Sequence, residues 1–448
     1  MFRIRLTFII TLFIICQNIL AQDQFYINNN SDKYVLSFKM VNNLMVIPVE
    51  VNGKKLSFLL DTGVSNTVIL NIKVVDSLKL KNIEKIKIQG LGVGEFVDAI
   101  KSTNNNIIVG KNITNKNHKI YLILEGGINL SNRIGEEIHG IIGGDLLKDF
   151  IIKINYSTKQ ITFYKPNTYH YKSCKKCELL PLSFIAEKPY VNVVANFSDT
   201  ISVNSKLLLD TGGSDALWLF ENKEAKISVP QLFFDDYLGQ GLNGNIYGKR
   251  SRIKSLQIGK FELKNITASF PDTLSLSQSM RHFSRRGTIG SETLKRFYLI
   301  IDYPNKKITF KKNSKFFDEE FNYNMSGIEV AYNGQMLVSE KVIKDFQTSS
   351  GNKVSNAERG ITIDYEYGYV LSLKPSIQVT DIRKNSPAEL AGVQEGDYLL
   401  EVNGKPIYSY SIQDLMSLFY EKEGREIELI VDRNGYRFSF NFKLKKIL

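Results

Sequence analysis

The sequence predicts a mainly β protein in which two similar halves form one cleft and a smaller α+β domain follows them. Three observations predict this fold class. An Asp-Thr-Gly triplet occurs twice, each copy lies among short β-branched and aromatic runs separated by turn residues, and the last third carries a different pattern of helix caps and hairpin turns. The 448 residues suggest about three domains, and a hydrophobic fraction of 43% supports ordinary globular cores.

The N-terminal segment predicts a signal peptide over residues 1–21. Arg3 and Arg5 precede an apolar run, and Ala21-Gln22 offers a cleavage point. The apolar run is short for a membrane span, and an uncleaved anchor is the alternative. We therefore expect an exported protein of the bacterial envelope, periplasmic or secreted, with no transmembrane span once the signal is removed.

The formal net charge of +12 is spread along the chain. The basic clusters are short and no nucleic-acid motif accompanies them, so we expect no nucleic-acid partner. A solvated basic surface accounts for the charge. The alternative is weak attraction to an anionic membrane surface, which would give a loose envelope association.

The two triplets are Asp61-Thr62-Gly63 and Asp210-Thr211-Gly212, and each follows an apolar run typical of a buried strand. A Gly after the Asp allows a tight loop, which holds the carboxylate at a fixed point. Two carboxylates brought close together cannot both ionise, so they share a proton. One can then act as a base while the other acts as an acid.

The duplication extends beyond the triplets. A Gly-x-Gly segment follows each triplet, and an Ile-Gly element and an Ile-x-Tyr element follow later in the same order. The corresponding pairs are Gly90–Gly92 with Gly239–Gly241, Ile142-Gly143 with Ile289-Gly290, and Ile154-Asn155-Tyr156 with Ile301-Asp302-Tyr303. Several motifs that recur in one order indicate an internal repeat.

Each half resembles a lobe of the retropepsin-like aspartic protease family, and the pair resembles a single-chain, two-lobed member over about residues 35–313. The resemblance implies that Asp61 and Asp210 are the catalytic dyad of an aspartic-type endopeptidase that needs no metal or cofactor. It also implies loop-bracing residues at Thr62, Gly63, Thr211 and Gly212, flap hairpins at Gly90, Gly92, Gly239 and Gly241, and Ile142-Gly143 and Ile289-Gly290 beneath the catalytic loops. Glu292 in place of Asp145 makes the second lobe less typical.

The predicted domains are lobe 1 at 34–164, an inter-lobe linker at 165–182 and lobe 2 at 183–313. The linker contains Cys174 and Cys177. In an exported chain this pair favours a local disulfide, and redox chemistry and half a zinc site are the alternatives.

The last domain, predicted at 320–448, resembles a bacterial-type PDZ domain. Ser386 and Gly392 bound a short helix, Asn403-Gly404 is a hairpin-turn signal, and Ser411–Tyr420 is amphipathic. PDZ domains bind an extended peptide, often a C-terminus, as an added strand. The two candidates for the peptide-carboxylate loop are Gly327-Ile328 and Gly360-Ile361.

Two motifs of other hydrolases, the zinc-protease His pair and the serine-hydrolase elbow, are absent from the sequence. None of the 4 His residues lies in a His-Glu-x-x-His segment, and there is no Gly-x-Ser-x-Gly elbow. The primary hypothesis is an exported endopeptidase that acts on peptides or unfolded proteins, with a PDZ domain for recognition. The alternatives are an inactive peptide-binding adaptor of the envelope and a structural protein docked there by its basic surface.

Val64 and Gly213 follow the triplets and carry no hydroxyl that could donate to the dyad, so we expect a mildly acidic to near-neutral pH optimum.

Overall fold

The computed structural model describes residues 24–70, 75–90, 96–124, 130–276, 285–350 and 361–448. The predicted signal peptide, Gly92 and Gly360 lie outside the described residues. The described chain is mainly β, as predicted. It divides into two compact units: unit 1 runs to Met325 and includes Lys446–Leu448, and unit 2 is Ser326–Lys445.

The first half of unit 1 is built from short strands and three short helical turns within the described residues. The strands are β1 (Tyr26–Ile27), β2 (Lys33–Ser37), β3 (Lys39–Val41), β4 (Leu44–Val51), β5 (Lys54–Leu60), β6 (Thr67–Ile69), β7 (Glu84–Ile88), β8 (Val97–Val109), β9 (Ile113–Ile123), β10 (Gly140–Ile142), β11 (Ile151–Asn155) and β12 (Gln160–Tyr164). The helices are α1 (Val75–Leu78), α2 (Leu130–Ile134) and α3 (Gly144–Leu147).

The second half of unit 1 repeats this order. Its strands are β13 (Cys177–Pro181), β14 (Ser183–Ile185), β15 (Lys188–Asn196), β16 (Ser202–Leu209), β17 (Leu217–Leu219), β18 (Phe233–Gly241), β19 (Gly244–Ile258), β20 (Phe261–Pro271), β21 (Gly287–Ile289), β22 (Phe297–Asp302) and β23 (Lys307–Lys312), and its described α-helix is α4 (Ser291–Leu294). Short 3₁₀ turns lie at Pro166–Thr168 and Thr273–Ser275.

Each half folds its own sheet in the same way around the strand that leads to its Asp. The strand orders are β1-β9-β6-β10-β5-β4-β8-β7, with β3 on β4, and β14-β15-β16-β21-β17-β20-β19-β18. In both sheets the Ile-Gly strand lies parallel to the strand before the triplet, with Ile142 beside Leu60 and Ile289 beside Leu209. The Ile-Gly elements therefore lie directly alongside the strands that lead into the Asp-Thr-Gly loops.

A third sheet joins the two halves, in the order β13-β23-β22-β11-β12-β2. Ile152 of β11 pairs with Ile301 of β22, and both belong to one hydrophobic core that continues through the two halves. The predicted linker contributes β13 to this sheet, directly after a disulfide between Cys174 and Cys177. Because the halves share a sheet and a core, they form one folded body.

Unit 1 extends beyond the predicted end of lobe 2 at residue 313. Phe316, Phe317 and Phe321 lie in the shared core. The buried Arg296 guanidinium donates to the carbonyl oxygens of Phe316 at 3.3 Å and Phe317 at 3.2 Å, and it stacks on the Phe321 ring. The boundary between the units therefore falls after Met325, later than the predicted start of the PDZ domain at residue 320. No sequence motif marks these packing contacts.

The described residues of unit 2 form one six-stranded sheet and a few short helices. Its strands are β24 (Ile328–Ser350), β25 (Ile361–Ile382), β26 (Tyr398–Val402), β27 (Lys405–Pro406), β28 (Glu426–Arg433) and β29 (Tyr436–Lys443), and its helices are α5 (Pro387–Ala391), α6 (Ile412–Phe419) and a 3₁₀ turn at Ile407–Ser409. The predicted caps are present: Ser386 accepts from Glu389 N–H, and Gly392 ends α5 with φ of 105°. Within the described ranges, no helix is long and apolar enough to cross a membrane.

Candidate active site

The two Asp-Thr-Gly loops meet where the halves of unit 1 join. Thr62 Oγ1 donates to the carbonyl oxygen of Leu209 at 2.6 Å, and Thr211 Oγ1 donates to that of Leu60 at 2.8 Å. Both threonines are 1% exposed, so these bonds form in a region with little water to compete for them. The two threonine hydroxyls and the two leucine carbonyl oxygens therefore link each half to the other.

The carboxylates of Asp61 and Asp210 lie side by side above this junction. Each Oδ1 accepts from the N–H of the Gly two residues later, Gly63 at 2.6 Å and Gly212 at 2.9 Å. A Cβ added to Gly63 would lie 2.9 Å from Oδ1 of both Asp61 and Asp210. The Oδ1 atoms of Asp61 and Asp210 therefore lie no more than twice 2.9 Å apart. The loop has no room for a side chain at Gly63.

Electrostatics at this pair favours a shared proton. Burial, and then the charge of Asp210, raise the pKa of Asp61 well above its usual value. The Gly63 N–H and the Lys188 ammonium act in the opposite direction but do not outweigh them. The Asp61 and Asp210 carboxyls are within hydrogen-bonding reach, which is the arrangement needed for one acid and one base at the same pH.

Gly90 of the first Gly-x-Gly segment contacts the turn that follows the second segment. Gly90 lies shortly after β7, and Gly241 pairs with Gly244 across the turn of the β18–β19 hairpin. Gly90 N–H donates to Asn243 Oδ1 at 2.5 Å, and a Cβ on Gly90 would lie 2.5 Å from Leu242 Cβ. Gly239 lies in β18 where the register shifts. Asn243 and Leu242 were not identified from the sequence, because nothing local marks a hairpin turn as a contact.

The first Asp-Thr-Gly loop is supported from behind by an acid just after the Ile-Gly element. In the first half, Thr67 donates to Asp145 Oδ2 through its N–H at 2.6 Å and its hydroxyl at 2.7 Å, and His118 Nε2 lies 3.0 Å from the same oxygen. Burial of Asp145 opposes ionisation, but the bonds from His118 and Thr67 outweigh it and hold the pKa of Asp145 below its usual value. Glu292, the counterpart of Asp145, instead pairs with Lys295 and Arg296.

Two hairpin turns, which no sequence motif marks, contact the Asp-Thr-Gly loop of the opposite half. Asn43, in the β3–β4 turn, donates to the carbonyl oxygen of Ser214 at 3.2 Å. Ser65 donates to the carbonyl oxygen of Ala186, in the β14–β15 turn. Both turns carry consecutive residues with positive φ, as in the tight turns that match strand twist. Ser65 and Ser214, each four residues after an Asp of the pair, are thus held by contacts across the lobe boundary.

In unit 2 the described residues of the two candidate peptide loops lie at opposite ends of the β24–β25 hairpin. Gly327 (φ 82°) directly precedes β24, a strand that contacts α6, and Ile328 pairs with Ile382. Ile361 pairs with Ser350 at the other end of the hairpin.

No group of three His, Cys, Asp or Glu side chains suited to a metal ion occurs among the described residues. The disulfide engages Cys174 and Cys177, so neither thiol is available as the zinc ligand considered above.

Comparison with known families agrees with this architecture. Residues 47–146, which include Asp61, match the family model for aspartyl proteases. Residues 378–433 match the PDZ domain model. The predicted resemblance to retropepsin-like aspartic proteases and to PDZ domains is therefore confirmed, for the first half of unit 1 and for unit 2.

Two curated relatives carry the name probable CtpA-like serine protease. The protein of Staphylococcus saprophyticus is 28% identical over 135 residues, which are 29% of this chain and 27% of that protein. The protein of Staphylococcus haemolyticus is 29% identical over 109 residues, 24% of this chain and 21% of that protein. The chain thus spans about a quarter of the length of these relatives, and neither match is long enough to contain both Asp61 and Asp210.

Proposed function

We propose that this protein is an exported aspartic endopeptidase in which Asp61 and Asp210 activate one water molecule, and that its PDZ domain recognises peptide segments. The observation that carries the proposal is the reciprocal Thr62–Thr211 bonding, because it brings two carboxyls from similar halves into one site. The family match over residues 47–146 supports the peptidase class.

The chemistry follows from the shared proton. The ionised carboxylate of the pair takes a proton from water as that water attacks the peptide carbonyl carbon. The protonated carboxyl donates its proton to the carbonyl oxygen, which gives a gem-diol without a covalent enzyme intermediate. Collapse of the gem-diol breaks the C–N bond as the amine is protonated, and the dyad returns to its starting state.

A serine-type mechanism, as the relatives' names state for those proteins, has less support in this chain. Among the described residues, Thr67, His118 and Asp145 form a hydroxyl–His–acid group, with Thr67 Oγ1 2.8 Å from His118 Nε2. These residues are 0%, 2% and 8% exposed, so no peptide can reach the hydroxyl. Their arrangement supports the loop behind Asp61 and offers no nucleophile.

Export and peptide recognition complete the proposal. The N-terminal sequence supports a signal peptide, and the Cys174–Cys177 disulfide suits an oxidising compartment such as the periplasm or the cell exterior. The PDZ match supports recognition of peptide termini or unfolded chains. The second candidate is an inactive peptide-binding adaptor, which is favoured by the fact that the aspartyl protease match covers the first half of unit 1 and not the second.

The test is cleavage of a mixture of unfolded peptides by the mature protein, with and without a pepstatin-type inhibitor. We expect cleavage that pepstatin or Asp61→Asn removes and that a serine-directed reagent leaves intact. Cleavage that survives Asp61→Asn and is lost to the serine reagent would reject the aspartic mechanism. Peptide binding by folded wild-type protein without any cleavage would favour the adaptor.

A further inference from the structure

The two halves of unit 1 have equivalent positions near the dyad that are filled with different residues. Val46 pairs with Leu59 in the first half, as Tyr190 pairs with Leu208 in the second. Leu59 and Leu208 are each followed by one leucine and then by the catalytic Asp. The repeat therefore allows a position-by-position comparison of the two sides.

Two further positions complete the comparison. Leu44 begins β4 directly after the β3–β4 turn, and Lys188 begins β15 directly after the β14–β15 turn. Ile138 and Arg285 each stand two residues before the parallel Ile-Gly strand of their half. Lys188 thus replaces Leu44, and Arg285 replaces Ile138.

The first-half set is apolar. Leu44, Val46, Leu59 and Ile138 belong to one small hydrophobic cluster that is separate from the main core. Strand side chains alternate between the two faces of a sheet, and Phe58 and Leu60, the neighbours of Leu59, are in the main core. The cluster therefore occupies the opposite face of the sheet.

The second-half set carries two cations. Arg285 is 7% exposed. Its Nε donates to the Gly287 carbonyl oxygen at 3.2 Å, its Nη2 donates to Thr288 Oγ1, and the guanidinium stacks on Phe220. These partners are all neutral, and among the described residues no carboxylate lies within ion-pair distance of Arg285 or Lys188.

The charges that act on both cations are those of the dyad. Burial lowers the pKa of both Lys188 and Arg285, and the Arg285 charge lowers that of Lys188 further, whereas Asp61 and Asp210 act in the opposite direction on both cations. A dyad that shares one proton carries a single negative charge, so two nearby cations leave a net positive site. A charge that is buried without a matching opposite charge is costly, and an incoming carboxylate would offset that cost.

We propose that the second-half side of the active site binds an acidic side chain of the peptide substrate, held by Lys188 and Arg285. This inference rests on the proposed function, because it assigns the substrate class of the same site. Both a Glu or Asp side chain and the free C-terminus of a peptide present a carboxylate, and the experiment separates these two sources.

The experiment compares matched peptides that carry Glu or Gln at each position around a cleavable bond, with free and with amidated C-termini. With the mature protein we expect kcat/KM for the Glu peptide to exceed that of the Gln peptide by about 10- to 100-fold, as for a hydrogen bond to a charged group. If the preference for Glu over Gln persists in amidated peptides, the bound carboxylate is that of the side chain. If the preference requires a free C-terminus, the bound carboxylate is the terminus, and the side-chain proposal is wrong.

The key variant is Lys188→Leu, which installs the residue found at the equivalent first-half position. We expect it to reduce the Glu-to-Gln ratio toward one, and Lys188→Glu to favour a Lys peptide instead. The matched control is Lys264→Leu on β20, where the side chain is 76% exposed, and it should keep the wild-type ratio. A Lys188→Leu variant that moves the pH profile but keeps the ratio would show that Lys188 only tunes the dyad, and the proposal would be wrong.

A binding measurement keeps the inference independent of turnover. Fluorescence anisotropy of labelled Glu and Gln peptides on the Asp61→Asn protein reports the subsite without cleavage. Tighter binding of the Glu peptide, lost in the added Lys188→Leu variant, supports the subsite even if the wild-type protein cleaves nothing and the proposed function fails. Equal binding and equal cleavage of Glu and Gln peptides would overturn the subsite while leaving the peptidase intact.

Discussion

Thr62 and Thr211 bond to each other in both directions, since the backbone N–H of each donates to the Oγ1 of the other, at 3.1 and 3.0 Å. Each hydroxyl therefore accepts one bond and donates one to the opposite strand. The spacing of the two carboxyls is in this way set by buried bonds beneath them, rather than by the carboxyls themselves.

Removing one hydroxyl from this junction should weaken both stability and activity. Thr211→Val keeps the side-chain shape but leaves the Thr62 N–H and the Leu60 carbonyl without their partner, which costs about 1–3 kcal/mol per buried unsatisfied group. We expect a lower denaturation midpoint and a lower kcat, measured by urea unfolding and peptide cleavage. Thr211→Ser restores the hydroxyl and should recover most of both; equal losses in the Val and Ser variants would contradict the role of the bonds.

The dyad itself is tested by Asp61→Asn and Asp210→Asn. Each change is nearly isosteric but removes a group that can exchange a proton, and acid–base terms are worth about 10²–10⁴-fold. We expect each single variant to retain less than roughly a hundredth of wild-type kcat with circular dichroism unchanged. Higher residual activity in either variant would disprove the two-Asp mechanism.

The pH optimum should respond to a hydroxyl placed beside the dyad. A Cβ at Gly213 would lie 3.6 Å from Asp210 Oδ2, so a Ser at this position fits and brings its hydroxyl toward that carboxylate. Such a bond favours the charged form and lowers the apparent pKa of the pair. We expect Gly213→Ser to move the acid limb of the kcat/KM profile to lower pH, from a wild-type optimum that is mildly acidic to near neutral. An unchanged acid limb would refute this account.

Stability should depend on pH with opposite signs at Asp61 and Asp145. The pKa of Asp61 is raised on folding, so its contribution is fully present below the unfolded pKa of about 4 and is lost as pH rises through the folded pKa. Asp61→Asn should therefore raise Tm at pH 8 more than at pH 4. A larger gain at pH 4 would be inconsistent with a raised pKa.

Asp145 behaves in the reverse manner, because its pKa is lowered on folding. Its stabilisation is present above the unfolded pKa of about 4 and is lost as pH falls through the folded pKa. Asp145→Asn should lower the free energy of unfolding at pH 7 by about 1–3 kcal/mol and by less at pH 3. Thermal scans at both pH values check the sign, and a loss that is larger at pH 3 speaks against it.

The boundary between the units predicts where the chain can be shortened. A mature chain ending at Met325 should fold and cleave short peptides as a monomer, since both Asp residues are in unit 1. A chain ending at Lys312 lacks Phe316, Phe317 and Phe321, each worth about 1.5–3 kcal/mol of burial, and removes partners of Arg296. We expect the shorter chain to unfold or aggregate. Equal folding of the two chains by near-ultraviolet circular dichroism would show that residues 313–325 are dispensable.

Much of the fold could be predicted from the sequence because its signals are local. The Asp-Thr-Gly loops need Gly63 and Gly212 where a Cβ would strike a carboxylate. The caps Ser386 and Gly392 bound α5 through bonds to residues a few positions away. The Ile-Gly elements could be found because they repeat in the same order after each triplet. The amino-acid sequence by itself therefore determined the two halves, their Asp residues and the helix and turn boundaries of the last domain.

Only the tertiary structure decided what surrounds the dyad. Asn43, Lys188 and Arg285 look like ordinary turn or surface residues in the sequence, and each acquires its role from a segment far away along the chain. Strand pairing brings those segments together, and it depends on register and on which face is buried, neither of which a local pattern contains. For the same reason β13 lies in a sheet where the sequence predicted a linker. Phe316 and Phe317 are buried in the core although they lie beyond the predicted end of lobe 2, because the burial of apolar area depends on the whole fold.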